Sequence, residues 1–306
     1  MAHGIMFHHF HRAGDKPPAQ GSITPDQLDA IIDYLQSRYT LLSAHEWIRR
    51  ALDGKIRDEI CLTFNDGLRC QYDLALPILR RRGIRAFFFV YTCIYHGWID
   101  KLEIYRLFRS RFFHDINEFY ERFWQTAGKS IYFAGLLDAV LRPEAESYLK
   151  EYSFYSDDDR RFRYVRDKVL SNTAYESIMD GVMEGFGMTP ETLATNLWLT
   201  PKNLMQLADE GHILGLHGYT HSTTFASKPR DEQEREYMLN RADLELLAGA
   251  APIVMSHPSN SYSAETLAIL RKMGVEAGFR ANMDRAGGTR LEIPRMDVAD
   301  LLKEME

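Results

Sequence analysis

Cysteine is scarce in this chain, and its few copies form no recognisable motif. Of 306 residues only three are cysteines, Cys61, Cys70 and Cys93, and no two of them have the C-x-x-C spacing of a metal or redox site. An odd count also argues against a disulfide framework. We therefore expect buried, reduced thiols, as in a cytoplasmic protein.

Three other features are missing. No apolar run approaches the roughly 20 residues that span a bilayer, and histidines interrupt the N-terminus, which has no signal-peptide core. The formal net charge of −6 gives no basic surface for nucleic acid. With 45% hydrophobic and 26% charged residues, the composition is that of a soluble globular protein with ample core. We expect a cytoplasmic location, no membrane span and no nucleic-acid partner.

Two sets of polar residues, far apart in the chain, are candidates for a catalytic site. Residues 60–67 read as a strand that ends in Asp66-Gly67, a turn that places a carboxylate where α/β folds hold their chemistry. Far downstream, His217 and His221 are four residues apart. One carboxylate and two imidazoles can bind a catalytic metal and leave one coordination position open. The alternatives are an ordinary Asn-Asp-Gly turn and structural histidines.

Strand and helix signals alternate at both ends of the chain. Thr24, Pro25 and Gln27 form a helix start with a capping box. Further helices are predicted near 73–82, 201–211 and 264–273, and strands near 41–42, 60–64, 86–90, 213–216, 253–255, 275–279 and 291–293. This alternation predicts an α/β protein with parallel strands, either a barrel or a doubly wound sheet.

The middle of the chain, residues 100–196, differs in composition. Residues 105–164 hold 16 of the 37 aromatic residues of the chain. Phe108, Phe112, Ile116, Phe119, Tyr120 and Phe123 are spaced as one helical face, and Phe162, Val165 and Val169 as another. Residues 156–159 are predicted to be an acidic loop or helix cap between them. We expect the aromatics to form a small core; a few of them stacking against a sugar, lipid or nucleotide is the alternative.

Several short motifs together resemble one known family. Residues 63–67 (Thr-Phe-Asn-Asp-Gly) resemble the T-F-D-D-G motif of the NodB-homology polysaccharide deacetylases, carbohydrate esterase family 4. Residues 217–221 resemble the second motif, H-[ST]-x-x-H, with Gly218 in place of Ser or Thr. Residues 6–10 are similar to the M-Y-H-H-x start of many members, 256–262 to the third motif, and 293–297 to the closing L-P-R-I-D.

The resemblance implies both a fold and a metal site. It favours a distorted, incomplete (β/α) barrel built from residues 1–99 and 197–306, with residues 100–196 as a helical insertion that forms a lid over the catalytic face. It implies one divalent metal bound by Asp66, His217 and His221. We expect zinc, for which Co²⁺, Ni²⁺ or Mn²⁺ can substitute.

The chain departs from the family pattern at the residues that move protons. The family's catalytic base is the first Asp of its first motif, and this chain has Asn65 there. No His follows His257, so the family's late L-x-H, the source of its general acid, has no match. The remaining candidates are His257, His8 and His9 as acid, base or substrate contacts, Asp297 as a carboxylate, Arg295 as an orienting group, and the N–H of Ser259 for the oxyanion.

Three functions follow from these residues. The first is a metal-dependent hydrolase that removes an acetyl or formyl group from an amino-sugar intermediate of surface polysaccharide (lipopolysaccharide) biosynthesis. The second is a carbohydrate-binding or scaffold protein that has the same fold and no catalytic base. The third is a metal hydrolase acting on a non-sugar C–N bond.

Overall fold

The computed structural model describes residues 1–17, 19, 21–130, 136–150, 155–284 and 288–305. The chain divides into two compact units. The first comprises Met1–Asp100 and Asn196–Glu306, and the second comprises Lys101–Thr195. No helix in the described ranges is both long enough and apolar enough to cross a membrane.

The first unit is built around a seven-stranded parallel sheet in its described part. Its strands are β1 (His3–Phe7), β2 (Ile60–Asn65), β3 (Phe87–Val90), β4 (Ile213–Leu216), β5 (Val254–Ser256), β6 (Ala277–Phe279) and β7 (Arg295–Asp297). The strand order is β6-β5-β4-β3-β2-β1-β7. Phe279 also forms a parallel bridge with Ile293, two residues before β7. The sheet therefore curls into a nearly closed barrel, as predicted.

The described helices are α1 (Pro25–Arg38), α2 (Ala44–Leu52), α3 (Leu76–Arg82), α4 (Lys101–Phe112), α5 (Ile116–Gly128), α6 (Leu136–Val140), α7 (Pro143–Ser147), α8 (Asp157–Tyr164), α9 (Asn172–Glu184), α10 (Pro190–Ala194), α11 (Pro201–Asp209), α12 (Arg230–Ala248), α13 (Ala264–Lys272) and α14 (Val298–Met305). Single turns of other helix types cover Gln71–Ala75, Cys93–His96, Val165–Val169, Phe225–Ser227 and Pro258–Asn260.

Local sequence explains where several elements begin and end. Thr24 accepts a hydrogen bond from the N–H of Gln27, whose side chain bonds back to Thr24, so the predicted capping box begins α1. Gly83 ends α3 in the left-handed conformation, with φ of 66°. All four residues of β3 are buried, as expected for a parallel strand covered on both faces.

Two predicted strands are wrong or misplaced. Leu41 makes only one isolated bridge, to Ile60, and residues 41–42 form no strand. In the segment 291–293, Ile293 forms one bridge to Phe279, and the true strand β7 begins at Arg295. Both segments are short, so their apolar residues fit a loop packed on the core equally well.

The second unit is helical in its described part and has an aromatic core. Phe108, Phe119, Phe123 and Phe162 are fully buried. The rings of Phe119, Phe123 and Phe162 pack edge to face or tilted, with centroids 5.0–6.1 Å apart. Ser156 caps α8, one of the two alternatives predicted for this acidic stretch.

The predicted continuous helical face in the second unit is wrong in one respect. The chain breaks between α4 and α5, where Asp115 becomes the N-cap of α5. The break rotates Ile116 out of the aromatic row, and its side chain is 38% exposed. Val169 is likewise 36% exposed because it ends a turn of wider helix and no longer follows the spacing of Phe162 and Val165.

Candidate metal centre and active site

Three side chains meet at the carboxyl ends of β2 and β4. Asp66 follows β2, and His217 and His221 follow β4. One donor atom from each lies within 4.8 Å of the other two, and Asp66 and His217 are buried. Nε2 of His217 is 3.2 Å and Nε2 of His221 is 3.4 Å from Oδ1 of Asp66. The structure thus brings together the three residues predicted as metal ligands.

The hydrogen bonding of His217 leaves a lone pair directed at Asp66. Its Nδ1 donates to the carbonyl oxygen of Ser256 across 2.8 Å, so the neutral ring carries no proton on Nε2. That nitrogen and Oδ1 of Asp66 then face each other as two acceptors only 3.2 Å apart. Two acceptors at this distance repel unless a cation lies between them, which is the situation of a metal ion with an oriented histidine ligand.

The charge states of the cluster suit metal binding. Burial opposes ionisation of Asp66, but the charges of the neighbouring imidazoles, first His221 and then His8, outweigh it, so its pKa lies well below the usual range. Burial lowers the pKa of His217, and the charge of His221 lowers it further. At neutral pH the cluster therefore presents a carboxylate and a neutral imidazole, the forms that coordinate a metal.

His221 is fixed by two residues that the sequence motifs did not predict. Oδ2 of Asp100 lies 3.6 Å from its Nδ1 and draws the ring proton to that nitrogen, which leaves Nε2 for an ion. The ring of Tyr91 stacks on the ring of His221, with centroids 4.9 Å apart and planes at 13°. Trp198 donates to the hydroxyl of Tyr91. Tyr91 directly follows β3, and residues at the ends of barrel strands are candidate site residues, so the sequence could have identified it. No motif or strand end in the sequence identifies Asp100.

Asn65 is held by Arg295, which lies across the barrel interior on β7. Nη1 of Arg295 donates to Oδ1 of Asn65 across 2.7 Å, and Nη2 donates to Oγ of Ser256 across 2.7 Å. Arg295 is fully buried, and burial lowers its pKa to about 9. The hydrogen bonds that this guanidinium makes in the described structure all go to neutral groups, which are Arg280 (carbonyl oxygen), Thr63, Asn65 and Ser256. The amide oxygen of Asn65 is therefore occupied, and its NH₂ group donates one hydrogen to Sδ of Met6 across 3.9 Å and has a second hydrogen to donate.

The other predicted residues have varied surroundings. His8 is near enough for its charge to lower the pKa of Asp66. His9 lines a separate cavity of about 290 Å³ between the segments after β1 and β2. His257 donates through Nε2 to the carbonyl of Leu291 and stacks on Tyr262, and burial lowers its pKa to about 4. Among the described residues, Nδ1 of His257 has no hydrogen-bond partner.

Asp297 lies beyond Arg295 on β7 and is partly covered. Its Oδ1 accepts a hydrogen bond from the N–H of Ala299 at the start of α14, and burial raises its pKa. The charge of Asp297 raises the pKa of Arg295 against the effect of burial, although the described chain contains no ion pair between the two. This placement makes Asp297 a helix-capping residue as well as a candidate site residue.

Backbone strain coincides with the candidate site. Six non-glycine residues of the described chain have positive φ, and three of them are Asp66 (75°), His221 (52°) and Ser259 (49°). A left-handed conformation costs such residues roughly 1–2 kcal/mol and persists where the surroundings impose it. The two histidine ligands therefore lie on an irregular loop, not on a helical turn.

Comparisons with known proteins agree with this geometry. A family model described as polysaccharide deacetylase matches residues 179–278. The fold is similar to a deacetylase, PplD, of Streptococcus pyogenes, with 17% identity over 100% of this chain and 98% of that one and a TM-score of 0.56. The chain has the fold of the polysaccharide deacetylases. No curated protein matches it.

Two further structures share the deacetylase fold. IcaB from Ammonifex degensii is 14% identical over 96% of this chain and 90% of that one, with a TM-score of 0.52. A de-N-acetylase from Aggregatibacter actinomycetemcomitans is 12% identical over 100% of this chain and 99% of that one, with a TM-score of 0.56.

Proposed function

We propose that this chain is a metal-dependent hydrolase that removes an N-acyl group, acetyl or formyl, from an amino-sugar intermediate of surface polysaccharide biosynthesis. The observation that carries the proposal is the convergence of Asp66, His217 and His221, with one donor atom from each within 4.8 Å of the others. Three protein ligands with a fourth position open are the arrangement of catalytic zinc sites.

We assign the site to zinc because its donors are two imidazole nitrogens and one carboxylate oxygen. A bound divalent ion supplies a Lewis acid for the acyl carbonyl and brings the pKa of water to about 7. Co²⁺, Ni²⁺ or Mn²⁺ can occupy the same donors. Ser256 and Asp100 hold the two histidine rings in the orientation that such an ion requires.

Proton transfer cannot use Asn65, because a neutral amide does not accept a proton from water at neutral pH. Its Oδ1 accepts from Arg295 and one N–H of its NH₂ group contacts Sδ of Met6, so the second N–H is available to donate a hydrogen bond to water or to the acyl oxygen. We assign the proton to one of the two imidazoles that share the electrostatics of the site. The charge of His8 lowers the pKa of Asp66, and the charge of His217 lowers the pKa of His257.

The remaining predicted residues have supporting roles in this proposal. Ser259 presents its N–H to the oxyanion from a strained, exposed turn with φ of 49°. Arg295 orients Asn65, and Asp297 partly balances the charge of Arg295. His9 contacts substrate from the cavity of about 290 Å³ that it lines with Arg12 and Arg69.

The substrate is assigned from the family and from the chain itself. One similar structure is described as a de-N-acetylase and another as a deacetylase, which supports N-acyl chemistry. We place the reaction in the cytoplasm, on a small acylated amino sugar before its polymer is assembled. Residues 100–196 are proposed to form a lid over the carboxyl ends of the barrel strands that contributes to substrate choice.

One observation favours a second candidate, a carbohydrate-binding protein without turnover. This chain has Asn65 at the position of the deacetylase family's catalytic base, and Oδ1 of Asn65 already accepts a hydrogen bond from Arg295. A protein with this site can bind metal and sugar and still lack a proton acceptor. The intact cluster of Asp66, His217 and His221 favours the enzyme over this binding protein.

Metal analysis of the purified protein, combined with a turnover screen on N-acetyl and N-formyl nucleotide sugars, tests the proposal. We expect one equivalent of zinc and slow release of acetate or formate. Metal without turnover on any acylated sugar indicates the binding protein, and turnover of a cyclic amide or ureide indicates a non-sugar substrate. If the purified protein binds no divalent ion, the proposal is wrong.

A further inference from the structure

The loop between the two histidine ligands does not have regular helical structure. Gly218 has φ of 75° and His221 has φ of 52°, whereas a helix would keep both negative. Residues i and i+4 lie on one side of a helix because of its periodicity. On an irregular loop, other contacts must bring His217 and His221 to one ion.

Glu236, in the second turn of α12, provides such contacts. Its Oε2 accepts hydrogen bonds from the backbone N–H of Tyr219 across 3.0 Å and of Thr220 across 2.8 Å. Its Oε1 accepts from the hydroxyl of Thr220 across 2.6 Å. The carboxylate therefore bonds to Tyr219 and Thr220, the two loop residues directly before His221. Hydrogen bonds to an ionised acceptor are shorter and stronger than neutral ones.

Glu236 is buried and itself held in place. Its residue exposure is 6%, and Nζ of Lys228 lies 3.2 Å from Oε1. A buried carboxylate is retained only when its oxygens are bonded. The loop N–H groups and the lysine supply those bonds, so Glu236 and the loop fix each other.

Gly218 fits the same arrangement. A Cβ at this position would lie 3.3 Å from Cγ of Pro258 and 3.9 Å from Oε2 of Glu236, at a φ that L residues rarely adopt. The family has Ser or Thr here. In this chain a side chain at 218 is disfavoured, and the polar contacts of the loop come from Glu236 on the neighbouring helix.

Asn240, one turn further along α12, fixes the start of the loop. Its Oδ1 accepts from the backbone N–H of His217 across 2.9 Å. Its Nδ2 donates to the carbonyl of Val90 and to Oγ1 of Thr92, at the end of β3. Glu236 and Asn240 are at i and i+4 and share one helix face. One face of α12 therefore holds both the first ligand and the residues that lead to the second.

We propose that Glu236, assisted by Asn240, is a positioning residue that sets the spacing of the two histidine ligands and thereby the metal affinity of the site. This inference rests on the proposed metal site and deepens it. The hydrogen bonds that Glu236 accepts from the loop come from Tyr219 and Thr220, so it acts on the ligands through these two residues.

The test compares Zn²⁺ and Co²⁺ affinities of the native protein with those of Glu236→Ala, Glu236→Gln and Thr220→Val. Outer groups that orient metal ligands typically change affinity by about 10–100-fold. We expect a loss in this range for Glu236→Ala. The losses should be smaller for Glu236→Gln, which keeps one acceptor oxygen, and for Thr220→Val, which loses one bond.

Glu234→Gln is the matched control. Glu234 lies on the same helix and pairs with the exposed Lys272 instead of the loop. Its metal affinity should equal that of the native protein. Equal affinities of the native protein and Glu236→Ala would overturn the inference and leave the proposed function intact.

Amide hydrogen exchange gives a readout that needs no metal. In the metal-free native protein and in Glu234→Gln, the N–H groups of Tyr219 and Thr220 should exchange slowly. In Glu236→Gln and Glu236→Ala they should exchange faster, while the amides of β4 stay protected. Unchanged protection would overturn the inference. If the protection behaves as expected but native protein binds no divalent ion, the loop-holding role stands, and the metal site and its positioning are both refuted.

Discussion

Nη1 of Arg295 donates a 2.7 Å hydrogen bond to Oδ1 of Asn65 inside the barrel, so a buried guanidinium contacts a neutral amide. The same guanidinium bonds to Ser256, whose carbonyl oxygen orients His217. The residue at position 65 and the first histidine ligand are thus linked through two side chains. The identity of residue 65 therefore affects both the charge balance of Arg295 and the chemistry of the site.

Replacing Asn65 by Asp should increase turnover. The new carboxylate would be adjacent to Arg295, which would keep it ionised, and it could accept a proton from water. Gain of a general base is worth about 10²–10⁴-fold. Steady-state rates on the acylated sugar that the native protein accepts, measured from pH 5 to 9, should show the increase and a changed acidic limb.

Asn65→Ala is the control for that experiment, because it removes the amide without adding a base. Its rate should not exceed the native rate. If the native protein is inert on every acylated substrate while Asn65→Asp is active, the native chain is a binding protein and the hydrolase proposal is wrong.

Replacing Asp66 by Ala should abolish both metal binding and turnover. It removes the only carboxylate of the three-residue cluster, and the two imidazoles then lack the anion that they face at 3.2 and 3.4 Å. We expect zinc affinity to fall by more than about 100-fold, since even outer groups are worth 10–100-fold. Calorimetric titration measures this loss. Asp73→Ala, at a partly exposed site paired with Arg69, should bind zinc normally; native-like binding by Asp66→Ala would rule out the assigned ligands.

The stability of the fold should decrease between pH 6.5 and pH 4 because of His212. Its Nδ1 accepts from the N–H of Ala86, and burial followed by the charge of Arg85 lowers its pKa to about 4. The unfolded chain has the ordinary value near 6.5, so it binds a proton in this interval before the folded chain does. His212 has no effect on the pH dependence of the free energy of unfolding well above pH 6.5. Between pH 6.5 and pH 4 it lowers that free energy by about 3 kcal/mol.

His212→Asn isolates that contribution, since an amide oxygen can replace Nδ1 as the acceptor. Urea unfolding at several pH values should show a shallower decrease for this variant than for the native protein. The exposed His45 is the control position, and His45→Asn should follow the native curve. Parallel curves for native protein and His212→Asn would refute the assignment.

Removal of residues 101–195 tests the predicted lid. A chain in which a flexible Gly/Ser linker replaces this unit keeps Asp66, His217, His221 and Asp100. We expect zinc affinity close to native and a higher KM, because a lid contributes substrate contacts and excludes water. Unchanged kinetic constants would show that the second unit has no role in substrate choice.

Sequence reasoning succeeded where local patterns determine the structure. The capping box at Thr24, the buried strand before Val90 and the stop at Gly83 each depend on neighbours within about four residues, and the sequence predicted all three. It also named Asp66, His217 and His221, because a strand end and a four-residue spacing are visible without a structure. The alternation of strands and helices predicted parallel strands in either a barrel or a doubly wound sheet, and the resemblance to the deacetylases favoured the barrel that the structure shows.

The parts that were missed depend on contacts between distant segments. Glu236 is one acidic residue among several in a helix, and only the folding of α12 against β4 identifies it. Asp100 precedes the second unit and meets His221 across 121 positions of sequence. The strand at Arg295–Asp297 was misplaced because its neighbours 291–293 are more apolar, and pairing with β1 decides the outcome.

Positive φ at Asp66, His221 and Ser259 limits which amino acids these positions tolerate, independently of their chemistry. In a saturation library, glycine and asparagine should give folded protein at all three, because they adopt this backbone conformation most readily. β-Branched substitutions should be depleted already at the level of soluble expression. Ranking variants by abundance and by activity would then give two different orders, and the gap between them would identify the positions where the backbone sets a constraint separate from that of catalysis.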